Sequence, residues 1–446
     1  MRKHLANGAY GVVDYVSYPL GMLLVAPIVM RHLGGSGYGL WMITTAIISA
    51  GGIIASGFGD ANIQRVAQLR GVGDKRAMAL TVRSILGINI VLGCMLAIAV
   101  WSAAPFAARH IAVSSTASVN ECLVCLRIAS VLILVRAVES VGTSTQRAFE
   151  HYRSSVQISS GVQLFTLMSA ALLVLSGLHV ASLLMATGAF LVLGACLQLR
   201  QVRKSLGGAS LHPAFDPEET RRLLGGGVFL WLQAIGGVAF NQFDRILLGI
   251  SLGAVAVAPY ALCIQLAHPI FGVCASGLNF LFPYLSARAG NVPTDELRRM
   301  IFKAFLCNAL LVGGGAILLL LFGQQLLRMW VGDVVARGAE RLLPPIVIGS
   351  ALAGLSVTGT YAMQALGRFR TTSLINLGGR TLMFFLMIYL LRHAGVQGLA
   401  ISRIYYGGIA LLVYLPLLSS FKAAEQSELQ LEGMPLVLSL HGGPKL

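Results

Sequence analysis

Charge is scarce in this sequence, and acid is scarcest: among 446 residues there are 17 aspartates and glutamates, and only 11% of positions are charged. A soluble domain carries roughly 25% charged residues, so water is a poor solvent for most of this chain. Cysteine is limited to seven residues, Cys94, Cys122, Cys125, Cys196, Cys263, Cys274 and Cys307, all within long apolar blocks. There they behave as small apolar residues, and no disulfide framework follows. Cys122 and Cys125 form an i, i+3 helical pair with no second pair to complete a zinc site, and no metal or other cofactor is expected. The G-x-x-x-x-G-K-[ST] loop that cradles ATP phosphates is missing, as are H-E-x-x-H and G-x-S-x-G. Arg31-His-Leu-Gly-Gly-Ser-Gly-Tyr-Gly39 has the glycines of a phosphate cradle but no strand before it, and reads as a tight turn. Asp60, Glu121 and Asp333 are too dispersed for a catalytic set. A membrane-embedded glycan polymerase or transferase is therefore a weak alternative, and the chain is not expected to be an enzyme.

What is present is apolar length. Hydrophobic residues make up 56% of the chain, and mean hydropathy is +0.77. A helix needs about 20 apolar residues to cross the hydrocarbon core, whereas barrel strands alternate over about ten. Blocks such as 85–100, apolar but for Asn89, and 317–322 show no such alternation, which selects helices. Twelve spans are expected, near 11–32, 38–58, 80–103, 122–142, 156–176, 179–199, 226–250, 256–279, 301–322, 343–363, 373–391 and 398–418. With both termini in the cytoplasm, 21 of the 33 lysines and arginines fall on inside segments and 6 on outside ones, as the positive-inside rule requires. This asymmetry accounts for most of the net charge of +16. It points to membrane lipids with anionic headgroups as partners rather than nucleic acid.

The halves echo each other. Tyr38-Gly-Leu matches Tyr260-Ala-Leu, Asp74-Lys-Arg matches Asp295-Glu-Leu-Arg, and Tyr152-Arg-Ser-Ser matches Phe369-Arg-Thr-Thr, at shifts near 220 positions. Six helices return the chain to its starting side, so such a repeat is parallel and its halves enclose a central site. The fold expected is all-α: twelve transmembrane helices in two six-helix lobes around a central cavity. Residues 1–199 form the first lobe, 200–225 a basic cytoplasmic linker broken by Pro213 and Pro217, 226–418 the second lobe and 419–446 a cytoplasmic tail.

Exceptions within the apolar blocks are the functional candidates. Arg127, Arg136, Glu139, Asp244, Arg245, Arg380 and Arg403 lie in or near the ends of spans. Each central charge there costs at least about 2.5–3.5 kcal/mol unless compensated. Asn241, Asp244 and Arg245 share one helical face, as an internal Asp–Arg pair, a snorkelling arginine or a site. Arg136 and Glu139 have the spacing of a structural ion pair. Arg127 and Arg380 lack a local acid and suit an anion in the cavity, although for Arg380 a pairing across the bundle is equally open. Asp14, on a first span interrupted by Pro19 and Pro27, is a candidate for a coupling ion or proton, against a carboxylate resting at the headgroups.

Local patterns then resemble a known family. Leu33-Gly-Gly-Ser-Gly-Tyr-Gly-Leu-Trp41, Gly57-Phe-Gly-Asp-Ala-Asn-Ile-Gln-Arg65, Phe240-Asn-Gln-Phe-Asp-Arg-Ile-Leu-Leu-Gly249 and Phe282-Pro-Tyr-Leu-Ser286 are similar to segments of polysaccharide transporters. These are the Wzx-type oligosaccharide flippases of the multidrug/oligosaccharidyl-lipid/polysaccharide exporter superfamily. The resemblance implies alternating access in a bacterial cytoplasmic membrane. The implied substrate is an undecaprenyl-pyrophosphate-linked oligosaccharide used to build O-antigen, capsule or exopolysaccharide. It implies coupling to H⁺ or Na⁺, for which Asp14 and Asp244 are the candidate carriers among these residues, and Arg127, Asn241, Arg245 and Arg380 are the candidates for substrate contact. A functional monomer, in association with polysaccharide assembly proteins, fits the closed duplication. The nearest rival is a multidrug/cation antiporter of the same superfamily.

Overall fold

The computed structural model describes residues 2–113, 118–223, 231, 242–278, 281–286, 288 and 292–421; side chains before residue 18 lie outside the description. Thirteen α-helices are described: α1 (Arg2–Ala55), α2 (Gly59–Val72), α3 (Lys75–Ile111), α4 (Val119–Ala148), α5 (Tyr152–Leu175), α6 (Val180–Ser205), α7 (Phe243–Leu252), α8 (Ala254–Gly277), α9 (Leu281–Ser286), α10 (Thr294–Val331), α11 (Asp333–Ala339), α12 (Leu343–Ala365) and α13 (Phe369–Ala410). No strand occurs among the described residues.

Two of these helices each hold two spans. α1 breaks at Gly34 (φ 67°, ψ −178°) and α13 at Gly395. The Gly34 conformation belongs to the region that only glycine visits readily. Gly253, between α7 and α8, has nearly the same one (φ 84°, ψ 171°) 219 positions later. Most of the expected seventh span precedes Gln242 and, with the tail beyond residue 421, lies outside the described residues. Among the described residues the architecture is the all-α, two-lobe arrangement expected.

The duplication is built into side-chain contacts as well. Asn89 on α3 donates to Ala137 O and to Ser140 Oγ on α4, both at 3.1 Å. Asn308 on α10, again 219 positions on, donates to Gly354 O and Thr358 Oγ1 on α12 at 3.0 and 3.1 Å. An amide buried in this medium must find partners. In both halves it finds them across the same helix pair.

The structure departs from the expected spans in three ways. α3 and α10 have 37 and 38 residues, about 55–57 Å at 1.5 Å per residue, so both outrun the roughly 30 Å hydrocarbon core. Residues 59–72, expected as loop, form α2, because the polar residues of Gly59–Val72 are flanked by Ala61, Asn62 and Val66 buried against α3 and α4. The short α11 fills the connection after the ninth span. One end of the bundle carries Gly34, Gly253 and Gly395; the other carries α2 and the linker after α6. We call them the turn end and the linker end.

Candidate translocation path

α7 places two adjacent charges in unlike surroundings. Neighbouring residues diverge by about 100° around a helix, so Asp244 and Arg245 do not face each other. Asp244 is wholly buried. Its Oδ2 accepts from Tyr260 Oη at 2.8 Å and from Arg403 Nη2, while its Oδ1 accepts the backbone N–H of Arg245 at 2.8 Å. Arg403 Nε also donates to Tyr260 Oη at 3.2 Å. The sequence offered an Asp244–Arg245 pair as one reading. The partner is instead Arg403, 159 positions away on α13.

Arg245 turns toward the other half. It is half-buried, its Nε is buried without a hydrogen-bond partner, and no carboxylate reaches it among the described residues. Its charge acts on Tyr18 and Tyr38 of α1 and on His268 of α8. Tyr18 is 40% exposed. Arg136 acts on the same tyrosine from α4.

From Arg136 a cavity of about 390 Å³ runs to the linker end between α1, α2, α4 and α5. Its wall is mixed, with Ser56, Asp60, Thr143 and Arg147 toward the linker end and Gln163 deeper, among Ile48, Ile53 and Ile63. The Oε1 atom of Gln163 is buried and unbonded. Arg136 is bound to Glu139 at 2.8 Å, as the spacing suggested. Two cations, Arg136 and Arg147, and two acids, Asp60 and Glu139, line this cavity, so its formal charges balance. Arg245 stands outside its lining.

At the turn end the halves are in tight contact. Tyr38 Oη donates to Gln265 Oε1 at 3.0 Å, and Trp330 Nε1 to Leu23 O at 2.7 Å. A Cβ on Gly39 would fall 1.8 Å from Ala254 O, so only glycine permits that crossing. At the linker end Trp231 donates to Ile54 O at 2.8 Å and stacks on Phe58. Trp231 belongs to the seventh span, so the halves touch at this end too; the linker itself is strapped to the first half through Glu219. Glu219 accepts from Arg65 Nε at 3.0 Å and Thr81 Oγ1 at 2.6 Å. Burial alone would raise the pKa of Glu219, but these hydrogen bonds and the charges of Arg65 and Arg222 outweigh it and hold the carboxyl below its ordinary value of 4.5.

The remaining candidates fall elsewhere. Arg127 lies 4.9 Å over the Trp101 ring, with its Nε buried and unbonded. That is a cation–π contact, away from the Arg136–Arg245 path. Arg380 is half-buried on α13, next to Gly379, where a Cβ would meet Ile409 at 2.9 Å. Asn241 lies outside the described residues, as does the side chain of Asp14. Sequence reasoning flagged Arg403 only as a charge in a span. Nothing in its own helix marked Asp244 as its partner, and Tyr260 was noted only for the repeat.

Known proteins agree with this architecture. The profile of the family described as "Polysaccharide biosynthesis protein" matches residues 7–288, and that described as "MatE" matches residues 237–390. The "Putative O-antigen transporter" of Shigella flexneri is 22% identical over 402 residues, 88% of this chain and 92% of its own length. A multidrug resistance MATE family transporter of the MOP superfamily, in an inward-facing conformation, superposes with a TM-score of 0.72 at 14% identity, over 93% of this chain and 99% of its own. The lipid II flippase MurJ, in an inward closed conformation, gives 0.72 at 12% identity, over 95% and 91%. The chain belongs to the polysaccharide biosynthesis protein family, within the MOP superfamily, and is a multi-pass membrane transporter rather than an enzyme.

Proposed function

We propose that this chain carries an undecaprenyl-pyrophosphate-linked oligosaccharide from the cytoplasmic to the outer leaflet of a bacterial inner membrane by alternating access, supplying repeat units for a surface polysaccharide. The observation that carries this reading is Arg245. Its guanidinium has no acidic partner among the described residues, its Nε is buried and unbonded, and its charge reaches Tyr18 and Tyr38 of the other half. A planar, forked donor suits a pyrophosphate. The sugar follows polar side chains while the lipid tail stays in hydrocarbon.

The linker end, rich in basic residues, is the cytoplasmic face in this reading, with both termini on it. Contacts at the turn end and a cavity at the linker end are then an inward state, in keeping with the conformations named for the two structural relatives. The moving units are 1–199 and 226–418, joined by 200–225 in a functional monomer. After Arg245, we assign substrate contact to Asn241, one turn earlier on the same span, then to Arg380, and last to Arg127, which is engaged with Trp101. Asp14 and Asp244 are the proposed H⁺ or Na⁺ carriers. Three donors, the Arg403 guanidinium among them, engage Asp244 in this state, so it accepts an ion only when Arg403 withdraws.

Reconstitution tests the proposal. Proteoliposomes containing the purified chain should translocate a labelled pyrophosphate-linked oligosaccharide and leave a phosphate-free glycolipid in place. Drug efflux with no glycolipid movement would give the function to the antiporter reading instead.

A further inference from the structure

The halves differ in what covers one groove. In the first half, α3 and the end of α6 both pack on α4, and the linker fills the groove between them at the linker end. Ala214 N–H donates to Arg83 O at 3.1 Å, and Arg83 Nε donates to His212 O at 2.9 Å. A Cβ on Gly87 would lie 3.0 Å from the Phe215 ring.

In the second half, α10 and the stretch 411–421 pack on α12 in the same way. Phe302 stands 219 positions after Arg83. Here a crevice of about 850 Å³ remains, walled by Phe302, Phe305, Tyr414 and Leu418. Its rim carries Arg298, Arg299 and Lys303, with Asp295 the one acid among the lining residues. The walls are fixed: Tyr414 Oη donates to Leu355 O at 2.7 Å and accepts from Gly359 N–H at 3.2 Å, and its ring meets Phe305 edge-on at 5.5 Å. The mouth faces hydrocarbon, since Phe302 is 63% and Leu418 51% exposed on helix faces that also expose Leu310 and Leu415.

An apolar crevice open to a bilayer admits a lipid chain, and three cations against one carboxylate select the charge of the headgroup. Basic pockets between spans at a membrane face are recognised sites for anionic headgroups. We propose that this crevice binds an anionic phospholipid, with an acyl chain against Phe302, Phe305 and Leu418 and the phosphate on Arg298, Arg299 and Lys303. The site is separate from the Arg136–Arg245 path, so it stands whatever cargo that path carries. The rival occupant is the segment 422–446, which follows the twelfth span as the linker follows the sixth.

Native mass spectrometry of the purified full-length chain, offered equal phosphatidylglycerol and phosphatidylethanolamine, decides the matter. Wild type should retain phosphatidylglycerol with a preference of roughly fivefold or more, the effect of one or more surface cations on an anionic headgroup. Arg298→Gln, Arg299→Gln and Lys303→Gln together should abolish that preference. Leu418→Trp, which fills the crevice and keeps the charges, should reduce retention of both lipids. Equal retention by wild type, or an undiminished preference in the triple variant, overturns the proposal. So does efficient disulfide formation between Phe302→Cys and Leu436→Cys in the full chain, which would give the crevice to the tail.

Discussion

Asp244 and Arg245 are consecutive on α7, and they divide the polar interior into two regions. On the Asp244 side Tyr260, Arg403 and a backbone N–H occupy three of the carboxylate's roughly four lone-pair positions, and the group is wholly buried. On the Arg245 side a guanidinium nitrogen is buried and goes unbonded. Saturated buried charge holds helices together, and unsaturated buried charge waits for something to bind. Neighbouring positions on one helix thus belong to a structural knot and to a candidate binding surface.

The sharpest way to break this division is at the knot. Asp244→Ala would leave Arg403 buried without its counter-charge and should destabilise the protein by about 3–5 kcal/mol, read as a lower melting temperature in detergent. Adding Arg403→Met should restore most of that loss. A double variant as unstable as the single one would show that the pair is not the source of the effect.

The turn-end seam offers a comparison between the halves. Gly34→Ala and Gly253→Ala meet the same backbone penalty of about 1–3 kcal/mol. A Cβ at Gly253 also lies 2.4 Å from Val113 O, while nothing lies within 4 Å at Gly34. Gly253→Ala should therefore cost clearly more, and equal melting temperatures would contradict the packing described.

At the linker end the strap on Glu219 should respond to pH. Because its folded pKa lies below the ordinary 4.5, its stabilisation is complete above about pH 5 and fades as pH falls through the folded value. Glu219→Gln should cost about 1.5–3 kcal/mol at neutral pH, the range for hydrogen bonds to a charged group, and much less near pH 3. The same loss at both pH values would exclude the ionised carboxylate as the cause.

The smallest effect concerns Glu150, a non-glycine residue at φ 61° that occupies the place of Gly367, φ 74°, in the other half. Glu150→Gly relieves roughly 1 kcal/mol of left-handed strain and forfeits an exposed pair with Arg70 worth about 0–1 kcal/mol. A gain in stability below about 1 kcal/mol is expected, and a marked loss would mean that the Arg70 contact matters more than its exposure suggests.

Much of this architecture is legible in the sequence because hydrocarbon imposes length and apolarity on every span. The glycine run after Leu33 reads as a turn for the same reason that Gly34 occupies its backbone region. The repeat is visible at Tyr152 and Phe369, which begin α5 and α13 after residues of almost identical conformation, His151 (φ −84°, ψ 47°) and Arg368 (φ −87°, ψ 47°). Long-range pairing is what composition and periodicity do not carry. Arg403 has no acid at helical spacing, so its bond to Asp244 exists only once α7, α8 and α13 are packed. The same holds for Arg245: one helical face had to be divided between two environments before its guanidinium could be distinguished from its neighbour's carboxylate.

The most direct measurement compares glycolipid translocation and melting temperature for Arg245→Gln in the proteoliposome system. The account predicts wild-type abundance and stability with translocation reduced about tenfold or more, the effect of about 1.4 kcal/mol of lost interaction with the moving anion. Wild-type translocation by Arg245→Gln would contradict it.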